Sequence, residues 1–483
     1  MNLDTLDLVI VIVFLIGIAA WGIIAGGKQK THTDYFLGAH KVPWWLISFS
    51  IIAAETSTLT FISIPGLAYL TNLNFLQVTF GYLTGRIFVT FFLLPEYYRG
   101  EISTAYSFLE NRFGLKTRKF ASVVFLFTRT AADGVRLFAT AIPIKLLLNI
   151  DYHWAIGIVA VISLVYTYTG GVKGVIWVDA FQMFLYLGGV IVSIIFIIDS
   201  SAGGAGELFT RLLNDGKLQI FNSGFEGGIR EFFNTPYSLI AGITGGAFLS
   251  MASHGTDQLI IQRLLSAGSL KKSQKALLLT GFVIVIQFAL FLTLGALLYD
   301  YYAGKQFARS DEIFPLFILN ELPSGVSGLL IAGMFAAALS TLAGSISSMA
   351  SSTMFDLILT GKRGKEMSEE KKLKYSRILT LVWALVLIQS AALFMNSDRA
   401  VVEIALSIAS FTYGGLLGTF LLGIFVKKAR QEDALAAFTA GILVMVSVIL
   451  LKLVAWTWFT LTGVLVTMLT GYLLSTLTDQ RKE

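Results

Sequence analysis

Thirteen stretches of this chain are apolar and long enough to cross a bilayer: about 5–26, 43–71, 74–98, 120–148, 153–170, 175–199, 236–264, 273–301, 325–357, 377–396, 401–426, 433–454 and 456–477. No other feature limits the fold as strongly. A hydrocarbon core offers backbone polar groups no partner, so runs of this length cross it as helices. The expected class is an all-α integral membrane protein with about thirteen transmembrane helices. Composition agrees: 55% of the 483 residues are hydrophobic and 14% charged, where a soluble domain carries roughly 25% charged residues. The distribution of basic residues tests the count of spans. With the N-terminus outside and the C-terminus inside, 25 of the 36 Lys and Arg fall on the inner side and seven on the outer. A missed span would scramble that alternation. Arg86, Arg129, Arg136 and Lys145 remain, and all four fall within spans.

Several function classes drop out. The net charge of +6 reads as topology and not as a nucleic-acid surface. The chain has no cysteine, which removes disulfides, thiolate metal sites and cysteine nucleophiles. Its four histidines, His32, His40, His153 and His254, show no helical ligand spacing. There is no phosphate-cradling GxxxxGK[ST] loop and no nucleophile–base arrangement, so a carrier is expected and not an enzyme. The first apolar run follows Asp4 and Asp7 and no basic residue, so it reads as a retained helix and not a signal peptide.

Two spans carry polar groups that lipid-facing helices do not need. The first is Ser50-Ile-Ile-Ala-Ala-Glu-Thr-Ser-Thr-Leu-Thr-Phe-Ile-Ser-Ile-Pro-Gly66, with one carboxylate, five hydroxyls after it and a Pro-Gly pair. An ionisable group at membrane depth is a functional-site hypothesis by default. Hydroxyl-rich, interrupted helices are where secondary carriers hold ions and solutes. The second is Ala336-Ala-Ala-Leu-Ser-Thr-Leu-Ala-Gly-Ser-Ile-Ser-Ser348. Ser340 and Thr341 follow Ala337 by one helical turn, so one carbonyl and two hydroxyls can crowd one point. Neutral oxygens of this kind suit a small hard cation. The alternative for either stretch is a helix–helix seam that uses Ser, Thr and Gly for close packing.

Motifs along the chain resemble the sodium/solute symporter family. They are Asp34-Tyr-Phe-Leu-Gly38 with Val42-Pro-Trp-Trp45, the Ala53–Gly66 stretch, and Arg99-Gly-Glu-Ile-Ser-Thr-Ala-Tyr106 with Leu109-Glu-Asn-Arg-Phe113. Tyr166-Thr-Tyr-Thr-Gly-Gly171 with Val175-Ile-Trp-Val-Asp-Ala-Phe-Gln182, Gly255-Thr-Asp-Gln-Leu-Ile-Ile-Gln-Arg263 and the Ala336–Ser348 stretch follow in order. The resemblance implies a LeuT-type core of two inverted five-helix repeats, 43–199 and 236–426, each with a broken first helix. An extra helix at 5–26 precedes the core, and two helices at 433–477 follow it. It further implies a Na+ site made by the carbonyls of Ala53, Thr56 and Ala337 and the hydroxyls of Ser340 and Thr341. The sialic acid branch of the family has a second sodium site, with hydroxyls three and four residues after the first hydroxyl ligand. Ala343 and Gly344 stand there, so one sodium per cycle is expected and Asp179 keeps an electrostatic or structural role.

The solute pocket implied by the resemblance is lined by Ser57, Thr60 and Phe61, by Thr79, by Ser250 and Ser253, and by Ser407 or Ser410. Such a set of hydroxyls suits a small polar organic solute, with a carboxylate as one candidate. Arg129, Asp133 and Arg136 share a helical face, and one positive charge is left without a local acid. Arg136 then either meets an anionic solute or pairs with Asp133 or Glu55. Glu55 offsets an arginine, tunes the sodium site or meets a cationic group. The expected activity is sodium-coupled symport by alternating access, in a bacterial cytoplasmic membrane. The expected partners are the solute, Na+ and the bilayer, with no nucleic acid and no required protein partner. The rival readings are a proton-coupled or uncoupled carrier, with Glu55 or Asp179 taking the proton, and a membrane sensor module of the same fold. The short tail after the last span disfavours the sensor.

Overall fold

The computed structural model describes residues 4–99, 102–148, 150–225, 228–394 and 401–480, except the side chains of 59, 142–143, 146–148, 401–407, 409–411 and 478–480. Among them the regular structure is helical throughout. The long helices are α1 (Thr5–Gly26), α2 (Trp44–Glu55), α3 (Thr58–Leu70), α4 (Leu76–Phe88), α5 (Leu115–Leu148), α6 (Tyr152–Ser200) and α7 (Leu239–Gly255). After them come α8 (Gln258–Leu265), α9 (Leu270–Tyr301), α10 (Val326–Ser352), α11 (Glu369–Leu393), α12 (Val401–Phe425), α13 (Gln431–Leu450) and α14 (Phe459–Gln480). Eight helical stretches are by themselves long and apolar enough to cross a bilayer, and a bent pair, His32–His40 with Trp44–Glu55, makes a ninth. Large apolar side chains such as Ile24 and Phe127 stand about three-quarters exposed, which a bilayer explains and water does not.

Small residues decide how closely the helices approach. Gly22 and Gly26 of α1 lie directly against Gly170 and Gly174 of α6; a Cβ at Gly26, Gly170 or Gly174 would collide with backbone, and one at Gly22 with the Tyr166 side chain. Spacing small residues four apart on both partners lets two backbones meet in a membrane. At Gly171, φ is +57° and α6 kinks; a Cβ there would also strike the Tyr35 carbonyl. That kink separates the two spans expected at 153–170 and 175–199. The two long segments between spans carry short helices, Gly204–Asn214 with Leu208 and Leu212 turned inward, and Ile313–Asn320.

At the centre runs α10, buried along nearly its whole length. Its composition of Ala, Gly, Ser and Thr allows neighbours on all sides. The Asp7 carboxylate of α1 accepts hydrogen bonds from Gly325 N (2.7 Å), Gly328 N (2.9 Å) and Ser327 Oγ (2.7 Å). It caps the start of α10 from another helix, where a negative charge is favourable.

Two breaks interrupt the bundle. One separates α2 from α3 at Thr56–Ser57, and the other separates α7 from α8 at Thr256–Asp257. Pro65 is not the cause of the first, since it lies inside α3. Ser57 is: its side chain caps the new helix by accepting from Thr60 N. Asp257 does the same for α8 through Leu259 N (2.9 Å).

Candidate functional site

The first break releases backbone oxygens. In a continuous helix Ser57 N–H would donate to Ala53, but here it donates to the Glu55 carbonyl (3.1 Å). Thr60 N–H would donate to Thr56 and instead meets Ser57 Oγ (3.4 Å). The carbonyls of Ala53 and Thr56 are thereby freed at two buried residues. Across from them, Thr58 Oγ1 donates to the Met334 carbonyl (3.3 Å), which holds the break against α10. Next along α10, Thr341 Oγ1 donates to the Ala337 carbonyl (3.1 Å) and Ser340 Oγ donates to Asp179 Oδ1 (2.7 Å). A hydroxyl that gives up its proton in this way keeps its lone pairs for a cation. The set is neutral oxygen only, and it fits a hard monovalent ion better than a transition metal. Among the described residues no group of three His, Asp or Glu is placed to hold a metal.

Beside this set, a small cleft lies between the break, α5 and α10. Its polar lining comes from Ser57, Asp133, Arg136, Thr140 and Thr341, and Leu137, Ala338 and Leu342 form its apolar wall. Arg136 Nη1 pairs with Asp133 Oδ1 at 2.8 Å, and the side chain remains 28% exposed. Asp133 also accepts from Ser345 Oγ (2.5 Å) and, at 3.3 Å, from Arg129. Arg129 in turn reaches Asp257 Oδ2 (2.6 Å), which accepts a further bond from Tyr413 OH (2.8 Å). The sequence reading leaves one arginine of this group without an acid. The structure corrects that: Asp257, distant in sequence, makes the group two cations and two anions. Arg136 and Glu55 are not partners.

A second buried aspartate lies one step along α10. Asp179 of α6 accepts from Ser50 Oγ (2.6 Å), Ser340 Oγ (2.7 Å) and Arg263 Nη2 (2.9 Å). Arg263 also donates to Ser50 Oγ and to the Leu259 carbonyl, both at 2.8 Å. Glu55, at the end of α2, pairs with the fully buried Arg86, and His254 Nε2 stands 3.5 Å away. Lys145 sits over the Tyr152 ring (4.0 Å).

The other sequence-derived positions are spread more widely. Thr60 faces Ser57 (3.4 Å between hydroxyls). Phe61 is enclosed by the rings of Tyr186, Phe291 and Phe314. Thr79 and Ser250 are buried and donate to the Leu76 (2.8 Å) and Tyr82 (3.0 Å) carbonyls. Ser253 meets His254 Nδ1 (2.8 Å). Of the nine substrate candidates, Ser57 and Arg136 line the cleft described above. The side chains of Ser407 and Ser410 lie outside the described residues. Thr140, Ser345, Asp257 and Tyr413 belong to the site without having been singled out by sequence. Asp257 and Ser345 had a signal, since each lies within a quoted motif, Asp257 inside the seventh span and Ser345 inside the ninth.

Residues 35–441 match the family model of the sodium:solute symporter family. Sodium/sialic acid symporter SiaT of Proteus mirabilis is 29% identical over 432 residues, covering 88% of this chain and 86% of that one. Sodium/sialic acid symporter NanT of Aliivibrio fischeri is 26% identical over 478 residues, covering 98% and 93%. A solved Na+-coupled sialic acid symporter in a substrate-bound, outward-open state superposes with a TM-score of 0.89 at 26% identity, over 98% of both chains.

Proposed function

The chain belongs to the sodium:solute symporter family, and from that premise we propose that it imports a carboxylate-bearing polar solute of the sialic acid kind, driven by sodium. As a member of the family it is a multi-pass membrane transporter and not an enzyme. One observation carries the reading of the solute. Arg136, Ser57 and Thr341 line one cleft, so a guanidinium with exposed surface shares a cavity with hydroxyl donors and with a candidate ion ligand. A carboxylate is the natural partner of such a guanidinium, because the charge-assisted bonds are strong and directional. Ser57 and Thr140 supply further hydrogen bonds to a polyhydroxylated body.

In this reading Na+ is held by the carbonyls of Ala53, Thr56 and Ala337 and the hydroxyls of Ser340 and Thr341. Thr341 belongs to both sites, so each ligand improves the site of the other, which is what coupling requires. One sodium per cycle is proposed. The space beside Asp179 is filled by the Arg263 guanidinium, so close that a Cβ on Gly344 would come within 2.6 Å of Nη2. That fixed cation stands against a second mobile one. Arginine partners on both Glu55 and Asp179 also count against either acid as the coupling-proton acceptor. The proposed topology is thirteen spans, N-terminus outside and C-terminus inside. Two repeats, 43–199 and 236–426, are flanked by 5–26 and 433–477 in a bacterial inner membrane. The paired breaks at Thr56–Ser57 and Thr256–Asp257 support it.

The test is uptake into proteoliposomes at constant pH with sodium or potassium outside. Sialic acid accumulating in sodium alone is the expected result. Equal uptake in both salts would overturn the coupling. No uptake of any carboxylate, sialic acid included, would overturn the solute class.

A further inference from the structure

Three polar groups at the first break belong neither to the proposed sodium ligands nor to the lining of the Arg136 cleft. Glu55 closes α2 just before the chain unwinds, and Arg86 of α4 grips its Oε2. His254 of α7 stands 3.5 Å from the same oxygen. Arg86 is anchored from behind by the Thr280 carbonyl (2.7 Å) and His254 by Ser253 at Nδ1 (2.8 Å). Both are buried, yet Arg86 Nε and His254 Nε2 have no hydrogen-bond partner among the described residues. Glu55 keeps 21% of its side chain exposed.

Asp179 shows what a sealed structural pair looks like in this protein: no exposure, and partners on both oxygens. The Glu55 group differs on both counts. Buried polar atoms left unpaired are costly and are rare in native structures unless something else meets them. Here a carboxylate with open surface and two spare nitrogens gather at a helix break. Ser57, two residues further on, already lines the cleft of Arg136. Glu55 and Ser57 therefore flank the same unwound turn.

We propose that Glu55, backed by Arg86 and His254, is a specificity-determining group of the solute site that accepts hydrogen bonds from hydroxyl or ammonium groups of the solute. The inference rests on the carboxylate reading above and narrows it. The solute is an acid at the end held by Arg136 and carries hydrogen-bond donors elsewhere. An acid with a bare hydrocarbon body offers no donor to Glu55, whose Oε2 alone is met by Arg86. Sites built to hydrogen-bond a group reject the analogue lacking it far more strongly than apolar pockets reject a misfit.

The purified full chain, in sodium, is titrated with sialic acid and with a matched set: gluconate, 6-aminohexanoate and hexanoate. These last three share a six-carbon acid skeleton and differ in donors. Sialic acid or a donor-bearing member of the set is expected to bind at least about tenfold tighter than hexanoate. Glu55→Gln is expected to shrink that ratio by about tenfold, as loss of a charge-assisted bond does. Should the single variant not fold, Glu55→Gln/Arg86→Gln removes both charges of the pair and is read in the same way. Hexanoate binding as tightly as the others, or a ratio unmoved by the substitution, would overturn the role of Glu55 and leave the carboxylate reading standing. No binding by any of the four acids would overturn both.

Discussion

Asp133 and Asp179 are built from the same parts and do different things. Each is a buried aspartate that accepts from a serine of α10, Ser345 for one and Ser340 for the other, and each pairs with an arginine. Around Asp179 the arginine is as buried as the acid, and every short contact is internal. Around Asp133 the charge is also balanced, through Arg129 and Asp257, but the outermost arginine stays partly open in a cleft. Neutrality and exposure are therefore separate properties. A site can satisfy the electrostatics of folding and still leave one guanidinium facing a ligand.

The comparison can be broken at three points. The largest effect is expected from Arg263→Met. It leaves Asp179 buried without its counter-charge, and breaking such a pair by removing one partner costs about 3–5 kcal/mol. Thermal unfolding in detergent should show a large loss of stability whether or not sodium is present. Arg136→Gln should leave stability nearly intact, because Asp133 keeps Arg129 and Ser345. Its cost should fall on the solute: about 3 kcal/mol, or roughly a hundredfold weaker binding by titration calorimetry. If the two arginines exchanged these phenotypes, the assignment of one as structural and the other as solute-facing would fail. The smallest effect is expected from Ser345→Ala, which removes one bond to Asp133. A loss of about 1 kcal/mol of solute affinity, with sodium affinity unchanged, would show that the serine acts by holding the Asp133–Arg136 pair.

Much of the helical frame was legible in the sequence because apolar length is a local property. Among the described residues the long apolar runs fall on helices, with 153–170 and 175–199 both on α6, which kinks at Gly171. The first break was legible as a region and misplaced in cause. Pro65 and Gly66 draw attention, yet a proline already inside a helix needs no break, while the Ser57 cap makes one. The site was legible only as far as its residues are close in sequence. Ala337, Ser340 and Thr341 share a turn, and Arg129, Asp133 and Arg136 share a face. The pairing of Arg129 with Asp257 spans 128 residues, and that of Arg263 with Asp179 spans 84. Helical spacing carries no trace of contacts between distant spans, so the neutralising acids could be found only once the bundle was folded.

In the proposed function Na+ and an anionic solute occupy adjoining sites that share Thr341. The most direct measurement is solute affinity, by titration calorimetry with sialic acid, across a range of sodium concentrations at fixed ionic strength. Affinity is expected to rise with sodium in proportion to one bound ion, with the dependence much weakened in Thr341→Ala. An affinity that is the same in sodium and in potassium would contradict it.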